Sequence, residues 1–205
     1  LVVADSAAVA AASVAAAPRV AGSRSVDERK RFADRKDAYS MTLARWINNL
    51  RATPFGTRRR FPGHVLQAIE KAITTVEARH AGEIRFVVET SLDLAELWAG
   101  CTPRQRAIAL FGSLGVWDTA HNNGVLVYVL MAERDVEIIA DRGIAERVSP
   151  AEWETACRVM EAHFRDGRFR EGSLAGIESV GELLAKHFPQ QGGDRNEQPN
   201  RPVLL

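Results

Sequence analysis

Cysteine is almost absent: Cys101 and Cys157 are the only two in 205 residues. Two thiols so far apart in sequence build neither a metal knuckle nor a disulfide framework. The arginine that a cysteine phosphatase loop places six positions after its thiolate is missing too, since Ala107 and His163 stand there. No run of eighteen or more apolar residues is free of charge, so no segment reads as a membrane-spanning helix. The phosphate-loop, nucleophile-elbow and zinc-helix patterns are absent. Acids are missing from residues 41–60, which hold five arginines.

The formal net charge of +1 conceals this imbalance. Residues 61–190 carry 13 Lys or Arg against 19 Asp or Glu. An acidic body behind a basic segment is not the footprint of a nucleic-acid binder, whose positive charge lies on the folded face.

Residues 1–40 read as a disordered or non-native leader, alanine-rich and short of large side chains over 1–25. Its small residues would suit a clipped signal peptide and a periplasmic protein, but Asp5 and the lack of a basic n-region speak against one. Met41 is the more natural start, and a cytoplasmic, membrane-associated protein is the expectation. Residues 41–60 form a basic amphipathic segment in which Leu43, Trp46, Ile47 and Leu50 share a helical face, with Arg45 and Arg51 off it. Trp46, Arg45 and Arg51 are candidate interaction residues, for an anionic membrane surface or an acidic partner. The competing reading packs the apolar face against the chain's own acidic domain.

A folded domain is expected over 61–189, followed by a polar tail at 190–205. Leu66, Ile69, Ile73 and Val76 recur at helical spacing up to a stop at Gly82. Ile84–Glu89 reads as a strand. Thr102-Pro103-Arg104-Gln105 is a capping box with proline at the first helical position, opening a helix that turns Ile108, Phe111 and Leu114 inward. Val125–Met131 and Val136–Ala140 flank the short polar connection Ala132–Asp135 and read as a hairpin. A second capping box, Ser149 to Glu152, opens a helix with Trp153, Cys157, Met160 and Phe164 on one face. Cys157 is there a small buried hydrophobe. A charged turn, Phe164–Gly172, precedes a last helix from Leu174 that ends before Pro189. This order predicts a three-layer αβα sandwich of α/β class with a Rossmann-like mixed sheet.

If the first two strands form a right-handed parallel unit, Glu83 joins Asp118, His121, Asn122, Asn123, Asp141 and Arg142 at one sheet end. Glu89, the Arg134-Asp135 turn and Asp166 gather at the other. Asp118, Asn122, Asn123 and Asp141 offer oxygens to a hard divalent cation such as Ca²⁺. The same residue types also serve any tight loop, so both readings stand. Arg142 is a candidate contact for phosphate or another anion. His121 has no nucleophile at a motif spacing and reads as a solvated loop residue. His80 and His163 lie toward helix ends, where a charged imidazole would favour the dipole. No catalytic residue is assigned.

Three stretches, GEIRFVVE, VWDTAHNNGVLVYVLMAERDVEIIADRGI and FRDGRFREGSLAGIESV, in this order and spacing resemble the TPM domain, named after a thylakoid-lumen protein, a photosystem II repair factor and a modulator of the levamisole receptor. The match runs over about residues 62–188. Asn122-Asn123-Gly124, the charged hairpin and the Phe164–Gly172 turn carry it, and the chain is similar to short bacterial members without a membrane anchor. The resemblance implies an αβα sandwich, a divalent ion in some relatives, weak acid phosphatase activity in a plant member, and roles in maintaining or modulating membrane-protein complexes. Ala140-Asp141-Arg142 departs from the small residues and glycine usual there. The expected function is that of a non-catalytic accessory domain for assembly, repair or quality control of membrane-protein complexes. The alternative is a metal-dependent phosphomonoester hydrolase in which Asp118 and Asp141 hold the cation and Arg142 contacts phosphate oxygens.

Overall fold

The computed structural model describes residues 43–190 and 196–205. The expected leader at 1–40, the start at Met41 and residues 191–195 of the tail lie outside these residues. Three helices come first: α1 (Leu43–Arg51), α2 (Pro54–Arg60) and α3 (Gly63–Glu77). Strand β1 (Glu83–Glu89) is followed by α4 (Leu94–Trp98) and α5 (Pro103–Ser113), then by β2 (Gly124–Leu130) and β3 (Asp135–Ala140). A short α6 (Arg142–Ala145) leads to α7 (Pro150–Arg165), α8 (Phe169–His187) and β4 (Val203–Leu204). No described helix is long and apolar enough to cross a membrane.

The sheet runs β3-β2-β1-β4. β1 and β2 are parallel from Glu83 beside Gly124 to Glu89 beside Leu130. β2 and β3 form the antiparallel hairpin. β4 lies parallel to β1, with Val203 beside Val87. Because side chains alternate along a strand, the sheet feeds two cores. Ile84, Phe86, Val88, Val125, Val127 and Val129 pack on one face with Ile69 and Ile73 of α3, Met160 of α7 and Ile177 of α8. Val87, Leu126, Tyr128 and Leu130 pack on the other with Leu97, Ala107 and Leu110. This is the three-layer αβα arrangement with a mixed sheet.

Local signals placed several elements. Both capping boxes form: Thr102 Oγ1 accepts from Gln105 N–H at 3.2 Å, and Ser149 Oγ accepts from Glu152 N–H at 3.4 Å. A third, Asp93 with Glu96, opens α4, a helix the sequence reading did not place. Three inward glycines, Gly172, Gly176 and Gly181, let α8 approach its neighbours; a Cβ on Gly176 would lie 2.2 Å from Met160 Sδ.

Other local expectations need correction. Ile108 is exposed; Ala107 and Leu110 form the buried face of α5, with Phe111 and Leu114 only half-buried. α3 ends at Glu77, well before Gly82. That glycine packs against Leu184, whose methyl carbon would lie 3.0 Å from a Cβ. α8 begins at Phe169 rather than Leu174.

Candidate functional site

The sheet has two chemically distinct ends. Where β1 and β2 begin, the chain approaches through Val116–Asn123, a series of tight turns. Asn122 has φ of 53°, a left-handed conformation that asparagine tolerates better than most side chains. Asn123 is buried; its N–H donates to Thr119 Oγ1 at 3.0 Å and its amide donates to the Ala81 carbonyl. Its own carbonyl accepts from Glu83 N–H at 3.0 Å, tying β1 to the turn. At Gly124 a Cβ would sit 1.9 Å from the Val116 carbonyl oxygen, so only glycine fits.

Asp141 donates its N–H to the Gly124 carbonyl at 2.8 Å, and its Oδ1 accepts from Arg142 N–H at 2.6 Å. It thereby caps α6. Glu83 is buried, and its carboxylate accepts from the backbone N–H groups of Glu197 and Gln198, each at 3.2 Å. Glu197 in turn accepts from Ala120 N–H at 2.8 Å. The C-terminal segment therefore closes over this end, an arrangement with no local sequence signal.

Of the four candidate ion ligands, Asn123 turns inward and Asp141 is half-buried, while Asp118 and Asn122 are exposed. Arg142 and His121 are exposed too. Asn123 Oδ1 and Asp141 Oδ2 are buried oxygens with no hydrogen-bond partner. The β2–β3 register, continued one step, puts Gly124 opposite Asp141, so Asn123 is one position further along, where strand alternation turns its side chain to the other face. Among the described residues, no three His, Cys, Asp or Glu side chains come together as a metal-holding group. Even taken together, two side-chain oxygens would be an incomplete shell for a cation that takes six to eight.

His80 belongs to this end as well, and it is not the charged helix-end residue expected from sequence. It is buried, with Nδ1 accepting from Gly82 N–H at 3.1 Å and Nε2 unpartnered. Burial holds its pKa down to about 4, so the ring is neutral.

The end where β1 and β2 finish holds a polar network that the sequence reading did not assemble. Arg106 of α5 grips Glu89 through two parallel bonds, Nε–Oε2 at 2.9 Å and Nη2–Oε1 at 2.6 Å. Tyr128 O–H donates to Glu89 Oε2 at 2.6 Å, and Arg106 also meets Glu96 at 2.7 Å. The bonds to Glu89 push the Arg106 pKa up; burial, then the Glu89 charge, pushes that of Tyr128 up. Guanidinium and neutral phenol are therefore locked as donors that pin α5 to the sheet. Tyr128 sits beside Val87 in register, so Glu89, two residues on, shares its face. That period-two relation was the available signal.

Beside the network, α1 turns its polar side inward, against the reading that packs its apolar face on the chain's own domain. Arg45 is buried, not solvated: its Nε donates to Glu133 Oε1 at 2.8 Å and Nη2 donates to the Cys101 carbonyl. Asn49, one turn on, donates to the same Glu133 oxygen at 3.1 Å and accepts from Leu92 N–H at 2.9 Å. Trp46 is half-buried, edge to face with Trp98 at 6.2 Å. Leu43, Ile47 and Leu50 consequently face solvent, together with Phe55 and Trp98, which are 77% and 76% exposed. Arg51 is exposed among them. Burial pushes the Cys101 thiol pKa up, which lowers its thiolate fraction.

No curated protein sequence matches the chain. Among solved structures it is similar to the BA42 protein of the psychrophilic bacterium Bizionia argentinensis, with 32% identity and a TM-score of 0.62 over 69% of this chain and 93% of that one. The N-terminal domain of a P. gingivalis protein aligns at 19% identity and a TM-score of 0.47, over 59% of this chain and 76% of that one. The TPM domain model matches residues 62–183, more than half of the sequence. That span holds both sheet ends except for the α1–α2 segment and the closing C-terminal strand, and the chain belongs to the TPM domain family.

Proposed function

We propose that this TPM domain is a non-catalytic accessory module serving the assembly, repair or quality control of a membrane-protein complex, and that it docks through the outward face of α1, α2 and α4. The observation that carries this reading is the inverted packing of α1. Its polar residues Arg45 and Asn49 are spent on Glu133 and Leu92, and Leu43, Ile47, Leu50, Phe55 and Trp98 are left in solvent. Each such side chain gains roughly 1.5–3 kcal/mol on burial, and several together at one end of a domain mark an interaction surface. Arg51 and Arg58–Arg60 border them with no acid between residues 43 and 60, which favours an acidic or anionic partner surface. A photocrosslinker at Leu50 of the full chain should capture a membrane protein in cells, and the additional change Phe55→Ser should abolish the adduct. Adducts that ignore Phe55→Ser, or none from Leu50 or Leu43, would sink the docking reading.

A second reading is supported by the unpartnered Asn123 and Asp141 oxygens. Either could be one ligand of a divalent-cation shell, completed by carbonyls and water. Such a cation would lend Lewis acidity to a metal-dependent phosphomonoester hydrolase, with Arg142 free to contact the phosphate. Titration with Ca²⁺, Mg²⁺ or Mn²⁺ should shift the amides of Asn122–Gly124 and Asp141 saturably, and Asp141→Ala should remove the effect. Unmoved amides at millimolar cation would leave those residues with a loop-building role alone.

A further inference from the structure

We infer that a second site lies at the exit end of the sheet, a cleft between α2, the β2–β3 turn and the α7–α8 turn that takes a phosphomonoester. It goes beyond the docking reading, because it uses none of the exposed apolar residues. The cavity is about 210 Å³ and is lined by Arg60, Arg134 and Arg165 with the aromatic wall of Phe164 and Phe169. Among the described residues, no carboxylate lines it. A wider groove of about 590 Å³ continues past Arg59, His64 and Arg170, where Glu171 is the single acid. Among the described residues, Arg60, Arg134 and Arg165 form no ion pair; Arg60 donates to the Gly56 carbonyl at 3.2 Å and lies over the Phe169 ring at 5.6 Å. The nearby Arg168 is occupied, with Asp166 at 2.7 Å.

Three guanidinium groups from three separate segments converge on one small space inside a domain whose body carries a net negative charge. The nearest carboxylate influence is that of Asp166, whose charge Arg165 favours from outside the cleft lining, and a doubly charged oxyanion would answer the remaining positive charge. Guanidinium forks match phosphate oxygens in paired hydrogen bonds. The phenylalanines are held rigidly: Phe164 and Phe169 stack at 5.3 Å, and Phe61 closes edge-on at 5.7 Å from Phe169. They give an apolar seat to the carbon body of an ester, which sulfate or chloride lacks. Arg134 holds φ of 52° in the hairpin turn, a conformation glycine or asparagine would adopt at less cost, so a guanidinium is presented there despite the backbone penalty.

The probes are inorganic phosphate and glycerol 3-phosphate, titrated into isotope-labelled full chain with sulfate as control. Vesicles of phosphatidylcholine with or without phosphatidate form the second arm. Glycerol 3-phosphate should shift the amides of Arg60, Met131, Arg134, Gly167 and Phe169 saturably, more tightly than sulfate. Arg60→Gln and Arg165→Gln should each weaken binding on the order of tenfold. Arg158→Gln, an exposed arginine paired with Glu154 elsewhere on α7, should leave it unchanged. These side chains are exposed, so the variants keep the parent spectrum away from the cleft. Phosphatidate-vesicle retention that falls with Arg165→Gln assigns the phosphate to a lipid headgroup; saturation by glycerol 3-phosphate without vesicle retention assigns it to a soluble ester. Either supports the site. Absence of any saturable shift, or shifts that survive both Arg60→Gln and Arg165→Gln, overturns it. Arg165 takes no part in the docking face, so Arg165→Gln tests the cleft alone, Phe55→Ser tests the docking face alone, and the two readings fail separately.

Discussion

At the starting end of β1 and β2, polar groups are consumed by the fold; at the finishing end, many are left over. Glu83 is capped by two C-terminal amides, Asn123 is bonded to Ala81, and Asp141 caps a helix. Only two of their oxygens, Asn123 Oδ1 and Asp141 Oδ2, lack a partner. At the finishing end Glu89, Arg106 and Tyr128 are equally satisfied. Around them, however, stand a rim of unpaired arginines and a set of exposed apolar side chains. A cluster of Asp and Asn draws the eye in a sequence, yet such residues are the ones loops spend on their own backbone. Groups that the fold leaves without a partner are better pointers to function.

The largest expected effect tests how rigid the starting end is. Gly124→Ala drives a methyl group into the Val116 carbonyl, and backbone on both sides must shift. It should cost about 3 kcal/mol or more of stability, read from denaturant unfolding. A loss under 1 kcal/mol would show that this end is loose rather than consumed by the fold.

The next concerns pH. An unfolded chain protonates His80 near 6.5, whereas the native ring takes its proton only near pH 4. Its contribution is therefore complete above about pH 6.5 and is lost as pH falls from 6.5 toward 4, by up to roughly 3 kcal/mol. Unfolding free energies measured across that window should slope downward, and His80→Asn should flatten the slope. Equal slopes in both proteins would place the ring in contact with water.

The smallest effect sharpens the contrast from the other side. Arg134→Gly relieves a left-handed residue and should stabilise the protein by about 0.5 kcal/mol while weakening phosphate binding. A destabilised Arg134→Gly protein would mean that the arginine serves the fold, as the residues of the starting end do.

Sequence reasoning recovered what short-range chemistry fixes. The Thr102 and Ser149 capping boxes, the β2–β3 hairpin and the alternating faces of the strands depend on residues within a few positions of one another. It left α1 open between a face for a partner and a face for its own domain, and the reason for the outcome lies far away in the chain. Leu43, Ile47 and Leu50 satisfy the pattern of a buried face, but Glu133 offers a buried carboxylate that only Arg45 and Asn49 can answer. Turning the apolar face inward would strip Glu133 of both donors and leave a buried charge unpaired, a cost of roughly 3–5 kcal/mol that the observed orientation avoids. The expected ligand set divided for a similar reason. The turn that buries Asn123 exposes Asn122, and Asp118 lies on a solvent-facing turn.

By itself, then, the sequence determined the family, the order of elements, the apolar faces of the strands and α3, and the residues that open α5 and α7, because propensity, periodicity and capping act over one or two turns of chain. Only the tertiary structure decided which face of α1 is buried, that Val203 and Leu204 complete the sheet beside β1, and that Arg60, Arg134 and Arg165 share one cleft. Those outcomes depend on charges and hydrogen-bonding groups meeting across scores of residues, and no local pattern records where such partners will lie.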